Sequence, residues 1–110
     1  MNELTKKQKK HLRELVDTAY ERDLSKCLRA VASRFEEWKD NEISVWDLNQ
    51  VIHEFHNDIA RELYKAYTMT DTELAVAFGV VEEVLSLDEI DETCRDRISK
   101  LAESISKGGE

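Results

Sequence analysis

No proline occurs in this 110-residue chain, and two of its three glycines fall within the last three residues. Proline and glycine are the residues that most strongly interrupt a helix, the first by removing an N–H and clashing with the preceding turn, the second through backbone entropy. Apart from Gly79, helices here stop only where Asp, Asn, Ser and Thr supply caps and turns. The expected fold class is therefore all-α. At this length one core accounts for the whole chain, so residues 1–110 are read as a single helical domain, with 1–4 and 107–110 frayed.

The apolar periodicity divides the chain into a bundle of about four helices. A long first helix is expected over about 5–40, carried by Leu12, Leu15, Val16, Ala19, Tyr20, Leu24, Cys27, Leu28, Val31, Phe35 and Trp38. Its stripe drifts around Leu24, but no Gly or Pro marks a break there, and continuity is expected. The turn Lys39-Asp40-Asn41-Glu42 ends it. Ser44 is then placed as the N-cap of a second helix, with Asp47 at the third helical position and Ile43 and Leu48 as a hydrophobic staple. Thr70-Asp71-Thr72-Glu73 reads as a capping box opening a third helix, in which Gly79 implies close approach by a neighbour. The main stripe expected there is Leu74, Phe78, Val81 and Leu85. A fourth helix over about 91–107 shows a narrow stripe of Cys94, Ile98, Leu101, Ala102 and Ile105, which suggests a peripheral position.

The second helix, about 45–67, carries two adjoining stripes. One is Val45, Leu48, Ile52, Phe55, Ile59, Leu63 and Ala66; the other is Trp46, Asn49, His53, His56, Ala60, Tyr64 and Tyr67. A helix apolar or aromatic over more than half its circumference must be covered on two sides. It is thus expected to be central and largely buried between the first and third helices. Trp46, His53, Tyr64 and Tyr67, which join a large ring to a polar handle, form a candidate interaction surface.

The net charge of −8 argues against nucleic-acid binding, which draws its affinity from clustered cations. Lys6, Lys7, Lys9, Lys10 and Arg13, against Glu3 alone, make the first thirteen residues locally basic. Such a run is a solvated helix start or a contact for an acidic or phosphorylated partner. No apolar run reaches the ~20 residues of a membrane span, and no signal-peptide core is present, so a cytoplasmic protein is expected. Cys27 and Cys94 fall at apolar positions and lack CxxC partners, which leaves them as small hydrophobes.

His53 and His56 are the candidate metal ligands, because an i,i+3 pair lets two imidazoles converge on one ion. They need a carboxylate from another helix, and no Glu-x-x-His motif supplies one. A metal-binding helical enzyme built on this pair is the alternative to an interaction protein. The segment Asp40–Leu48 resembles the end of an EF-hand loop, with Asp47 as closing ligand, but the first half departs: Trp38 stands where a carboxylate is needed and Asn41 where glycine belongs. No phosphate loop, HExxH or nucleophile motif is present, and no cofactor is expected.

Trp38-Lys39, Glu42-Ile43-Ser44, Leu48, Ile52-His53, Phe55-His56 and Ala60 to Tyr64 together resemble a group of small, uncharacterised, all-helical bacterial proteins. The resemblance covers roughly 38–64 and implies a bacterial cytosolic protein, with no activity to carry over. The leading expectation is a self-associating or adaptor protein, most simply a homodimer, that makes contact through the aromatic and histidine stripe.

Overall fold

The computed structural model describes residues 3–108, and these are all-α. Residues 1–2 and 109–110, part of the expected frayed ends, lie outside the described residues. α1 (Lys6–Lys39) is followed by α2 (Val45–Glu54), a π turn (Phe55–Ile59), α3 (Ala60–Thr68), α4 (Thr72–Val81), a 3-10 turn (Leu87–Glu89) and α5 (Glu92–Gly108). α2, the π turn and α3 run on as one rod with helical backbone throughout, so five α segments make four rods.

Local chemistry sets the ends. Thr5 and Gln8 form a capping box at the start of α1, and Ser44 with Asp47 forms the expected one at the start of α2. α1 is unbroken over 34 residues, about 50 Å of helix. It closes in a Schellman motif: Asn41, at φ 61°, donates to Trp38, and Glu42 donates to Glu37. α4 closes the same way, with Glu83 at φ 62° donating to Val80 and Val84 donating to Gly79. The expected Thr70 cap of α4 is corrected to Asp71, whose side chain makes no capping bond. The Thr70 hydroxyl donates backwards instead, to the Ala66 carbonyl.

The core sits at one end of the molecule. Leu12, Leu15 and Ala19 of α1, Leu63 and Tyr67 of α3, Ala75, Val76 and Ala77 of α4, Leu85, Ile90, and Cys94 and Ile98 of α5 form one buried cluster. α4, not the second rod, is its centre, with α1, α3 and α5 packed around it. The buried side of α4 is Ala75, Val76, Ala77 and Gly79, while Leu74 is partly open. These small residues let α1 approach closely: a Cβ on Gly79 would lie 2.9 Å from the Ala19 Cβ and 3.0 Å from Leu85 Cδ1. α5 is not peripheral, since its contact with α4 is the most extensive between any two helices. The chain from Glu82 to Asp91 is held by two arginines. Arg22 donates to the Val84 carbonyl and pairs with Glu89, and Arg95 donates to the Leu87 and Ile90 carbonyls.

Away from this core, the second half of α1 and the whole of α2 project as a two-helix arm. The molecule measures 59 × 27 × 21 Å with a radius of gyration of 16.9 Å, against about 13 Å for a compact domain of this length. Leu48 is the buried residue of α2 and stands outside the main core. The expectation of a largely buried second helix is thus corrected: Val45, Trp46, Ile52, Ile59 and Tyr64 are all exposed. α4 packs against the rod at its α3 end, so among the described residues the arm's cover is α1.

Candidate functional site

The π turn explains how a rod with so much apolar circumference ends up half uncovered. The Ala60 N–H bonds to the Phe55 carbonyl, five residues back, in place of the usual four. The covered positions accordingly run Leu48, Val51, Phe55, then Ala60, Leu63 and Tyr67, with one gap of five. A regular helix would have continued Phe55 to Ile59; the extra residue turns Ile59 outward and brings Ala60 in. Ile59 is exposed and Ala60 half-buried. The two stripes legible in the sequence are therefore not two faces of one helix. Past the turn the covered face draws on both stripes, Leu63 and Ala66 from the first and Ala60 and Tyr67 from the second.

The geometry of the arm follows from the same angular reasoning. At about 100° per residue, Val45 and Ile52 sit roughly 65° around α2 from its covered Leu48, Val51 and Phe55 face. On α1, Leu28 and Phe35 sit about as far, in the same sense, from the half-buried Cys27, Val31 and Arg34. Because the two helices of a hairpin run in opposite directions, offsets of the same sense fall on the same side. One side of the arm therefore collects Leu28 and Phe35 of α1 with Val45 and Ile52 of the second rod, and Trp38 stands at its tip, while Ile59, just before the covered Ala60, falls on the other side. These five residues of the side and tip are between 36% and 51% exposed. Ala32, Asn49 and His56 fall between or beside them, and Lys39 at the tip is the charged residue on this side. In a chain that is 36% charged, a stretch of two helices bare of carboxylates on one side is a departure from a solvated face.

The expected aromatic and histidine surface is only partly realised. Trp46, 77% exposed, and His53 lie on the outer side of α2, away from α1, and Tyr64 is exposed on α3. Tyr67 is not a surface residue. It is 3% exposed, its ring stacks on Tyr20 with centroids 5.4 Å apart and meets Phe78 edge-on at 5.3 Å. Its hydroxyl donates to Asp23 Oδ2 at 2.8 Å. Burial, and after it the bond to Asp23, push the Tyr67 phenol far above its ordinary value, so it remains a donor. Asp23 is the buried charged side chain among the described residues. The sequence put Tyr67 on an interaction surface and did not single out Asp23, whose core-facing position on α1 was the available signal. One turn on, burial and then Asp23 raise the Cys27 thiol, and Cys27 and Cys94 are both free.

His53 and His56 are both exposed on either side of the start of the π turn. Among the described residues no group of three or more His, Cys, Asp or Glu side chains is placed to hold a metal ion. Asp47, the closing position of the loop that resembles an EF-hand, is engaged in capping: its Oδ2 accepts the Ser44 N–H at 3.0 Å, which holds its carboxyl below the ordinary range. The third histidine, His11, accepts the Asp91 N–H through Nε2 at 2.9 Å and fixes the start of α5. Lys6, Lys7, Lys9, Lys10 and Arg13 are exposed on the first turns of α1.

Among the described residues no helix is long and apolar enough to cross a membrane. No protein family, curated protein or solved structure matches the chain.

Proposed function

We propose that the chain is a small helical interaction protein whose contact element is the α1–α2 arm. The observation that carries this reading is the row of five partly exposed apolar residues, Leu28, Phe35, Val45 and Ile52 with Trp38 at the tip, along one side of a two-helix hairpin. Scattered exposed hydrophobes need no explanation, but a contiguous patch of several hundred Å² on a small protein marks a binding surface. Folding does not require these residues to be apolar, since the core lies at the other end and only Leu48 of α2 is fully covered.

The reading is tested in cells by a photoreactive amino acid at position 52, with position 103 on the solvated side of α5 as control. Covalent adducts at 52 and none at 103, with the adducts lost when Phe35→Asp is added, are expected. Absence of adducts at 52 overturns the reading. Catalysis through His53 and His56 draws no support from their placement, because among the described residues they join no group of three or more His, Cys, Asp or Glu side chains that could hold a metal ion.

A further inference from the structure

We infer that the outer face of the first two turns of α1 is a docking surface for a short, carboxylate-rich segment of another protein. It lies about 50 Å along α1 from the tip of the arm, so it is a second contact, separate from the arm's.

Lys6, Lys7, Lys9, Lys10 and Arg13 are all exposed. At about 100° per residue they spread over roughly 160° of the helix, on the side away from the covered Leu12, Leu15 and Ala19. Two observations set them apart from a solvated helix face. The first is that the fold leaves them unused. Of the chain's other eleven lysines and arginines, six pair with a carboxylate, and Lys26 and Arg95 bond to backbone carbonyls. Among the described residues these five side chains do neither. Two carboxylates at their margins are engaged elsewhere: Glu73 pairs with Arg97, and Asp91 accepts the Thr93 hydroxyl.

The second is placement. The N-terminal end of a helix carries partial positive charge and is stabilised by acidic side chains. α2, α3, α4 and α5 follow this rule, with Asp47, Glu62, Glu73 and Glu92 in their first turns. α1 has no acidic residue there and starts with Lys6 and Lys7. The capping box of Thr5 and Gln8 already completes this helix end, so the cations neither cap it nor suit its dipole. Residues that oppose local stability without serving the fold are expected at a functional site.

The extent of the patch selects the partner. Lys6 to Arg13 covers about 12 Å of helix, and carboxylates border it: Glu14 and Asp17 on the next turns of α1, Asp71 and Glu73 at the start of α4, Asp91 and Glu92 at the start of α5. A nucleic-acid duplex or an anionic lipid surface is wide enough to lie across those carboxylates as well, and a chain of net charge −8 repels it. Three or four carboxylates along an extended segment, at about 3.4 Å per residue, fit within the basic strip. Four of the five cations are lysines, flexible point charges that suit separate carboxylates, whereas bidentate grip on a phosphate calls for arginine. The strip also has no aromatic residue on which a base could stack.

Fluorescence anisotropy of a labelled peptide, four consecutive glutamates between glycine-serine ends, titrated with the full chain tests the inference. Saturable one-to-one binding is expected, weakened about tenfold or more between about 50 and about 200 mM salt, and absent when glutamines replace the glutamates. The double variant Lys6→Glu, Lys10→Glu should weaken binding by at least about tenfold, and Lys6→Arg, Lys10→Arg should retain it. Lys107→Glu on α5 and Phe35→Asp on the arm should leave it unchanged. Glutamates at 6 and 10 suit the helix dipole, so that variant should melt no lower than the parent, which separates lost binding from lost fold. No saturable binding, or binding that survives the charge reversal, overturns the inference. Tighter binding to duplex DNA or to phosphatidylserine vesicles than to the peptide assigns the patch to another class of partner and overturns it as well.

Discussion

Replacing Tyr67 by phenylalanine isolates one buried hydrogen bond. The ring stacks on Tyr20 and meets Phe78 edge-on, and phenylalanine preserves both contacts, so the perturbation is the loss of the hydroxyl that donates to Asp23 at 2.8 Å. Asp23 is 4% exposed, and water cannot readily take the vacated place. A hydrogen bond to a charged group contributes about 1.5–3 kcal/mol, and leaving a buried carboxylate without its donor puts the cost at the upper end of that range. For a domain of this size, about 2–3 kcal/mol corresponds to a fall in Tm of roughly 8–12 °C. The assay is urea unfolding followed by circular dichroism at fixed protein concentration. Asp23→Asn should recover part of the loss in the Tyr67→Phe background, because a neutral amide is cheaper to leave unpaired than a carboxylate. A double-mutant cycle should give a coupling of about 1–3 kcal/mol. The same bond fixes a pH limit. The Tyr67 phenol is raised in the folded chain well above its ordinary value, by burial first and then by Asp23, so its stabilisation is complete below the ordinary phenol range and lost as pH rises beyond it. Its phenolate should appear only with alkaline unfolding. A Tyr67→Phe protein within about 0.5 kcal/mol of the parent would refute the reasoning.

Four further outcomes are expected. Gly79→Ala should destabilise by about 1–2 kcal/mol despite the better helix propensity of alanine, since the new Cβ meets Ala19 Cβ at 2.9 Å; Ala19→Gly should cost less in that background than alone, read by thermal unfolding. Glu83→Gly should stabilise by roughly 0.5–1 kcal/mol, because Glu83 holds φ 62°, a conformation glycine adopts without strain; a neutral or negative change in urea midpoint counts against it. Ser44→Ala should cost about 1 kcal/mol through the lost N-cap. Asp47 and Glu89 are lowered by the N–H groups of Ser44 and Ser86, respectively. Their contribution is present above the unfolded carboxylate range and falls away as pH drops through the lowered values, which an acid titration of helicity follows.

The chain's punctuation was readable from residue types. The absence of proline gave an all-α chain, Ser44 with Asp47 gave a boundary, and Gly79 gave a close approach, because each is a local matter of backbone and one or two neighbours. What covers what was not readable, and the reason is specific. Periodicity at 3.6 residues assumes a continuous α-helix, and Phe55–Ile59 is not one. Past that point Ala60, Leu63 and Tyr67 carry the covered face, so counting in one register placed Ile59 inside and left Tyr67 on a supposed surface. α5 was misjudged for a different reason. A narrow stripe signals a shallow contact only when its residues are partly covered, and Cys94 and Ile98 are fully buried against small residues of α4. Of the candidate surface, Trp46, His53 and Tyr64 were recognisable as outward-facing aromatic and imidazole groups, whereas the row of Leu28, Phe35, Val45 and Ile52 reads as ordinary core until it is seen to lie beside the contact with α1 and not in it.

The five-residue π turn also acts as a phase shifter between two ends of one rod. α3 is indexed to the core through Leu63 and Tyr67, and α2 is indexed to the arm through Leu48. Winding the same residues as regular α-helix would rotate the arm by about 100° relative to the core, swinging Val45 and Ile52 out of line with Leu28 and Phe35, whereas removing a single residue from Phe55–Ile59 would leave a gap of four between Phe55 and Ala60 and keep Leu48, Leu63 and Tyr67 on one face. The wide winding of that turn, more than any side chain in it, therefore sets which way the arm faces.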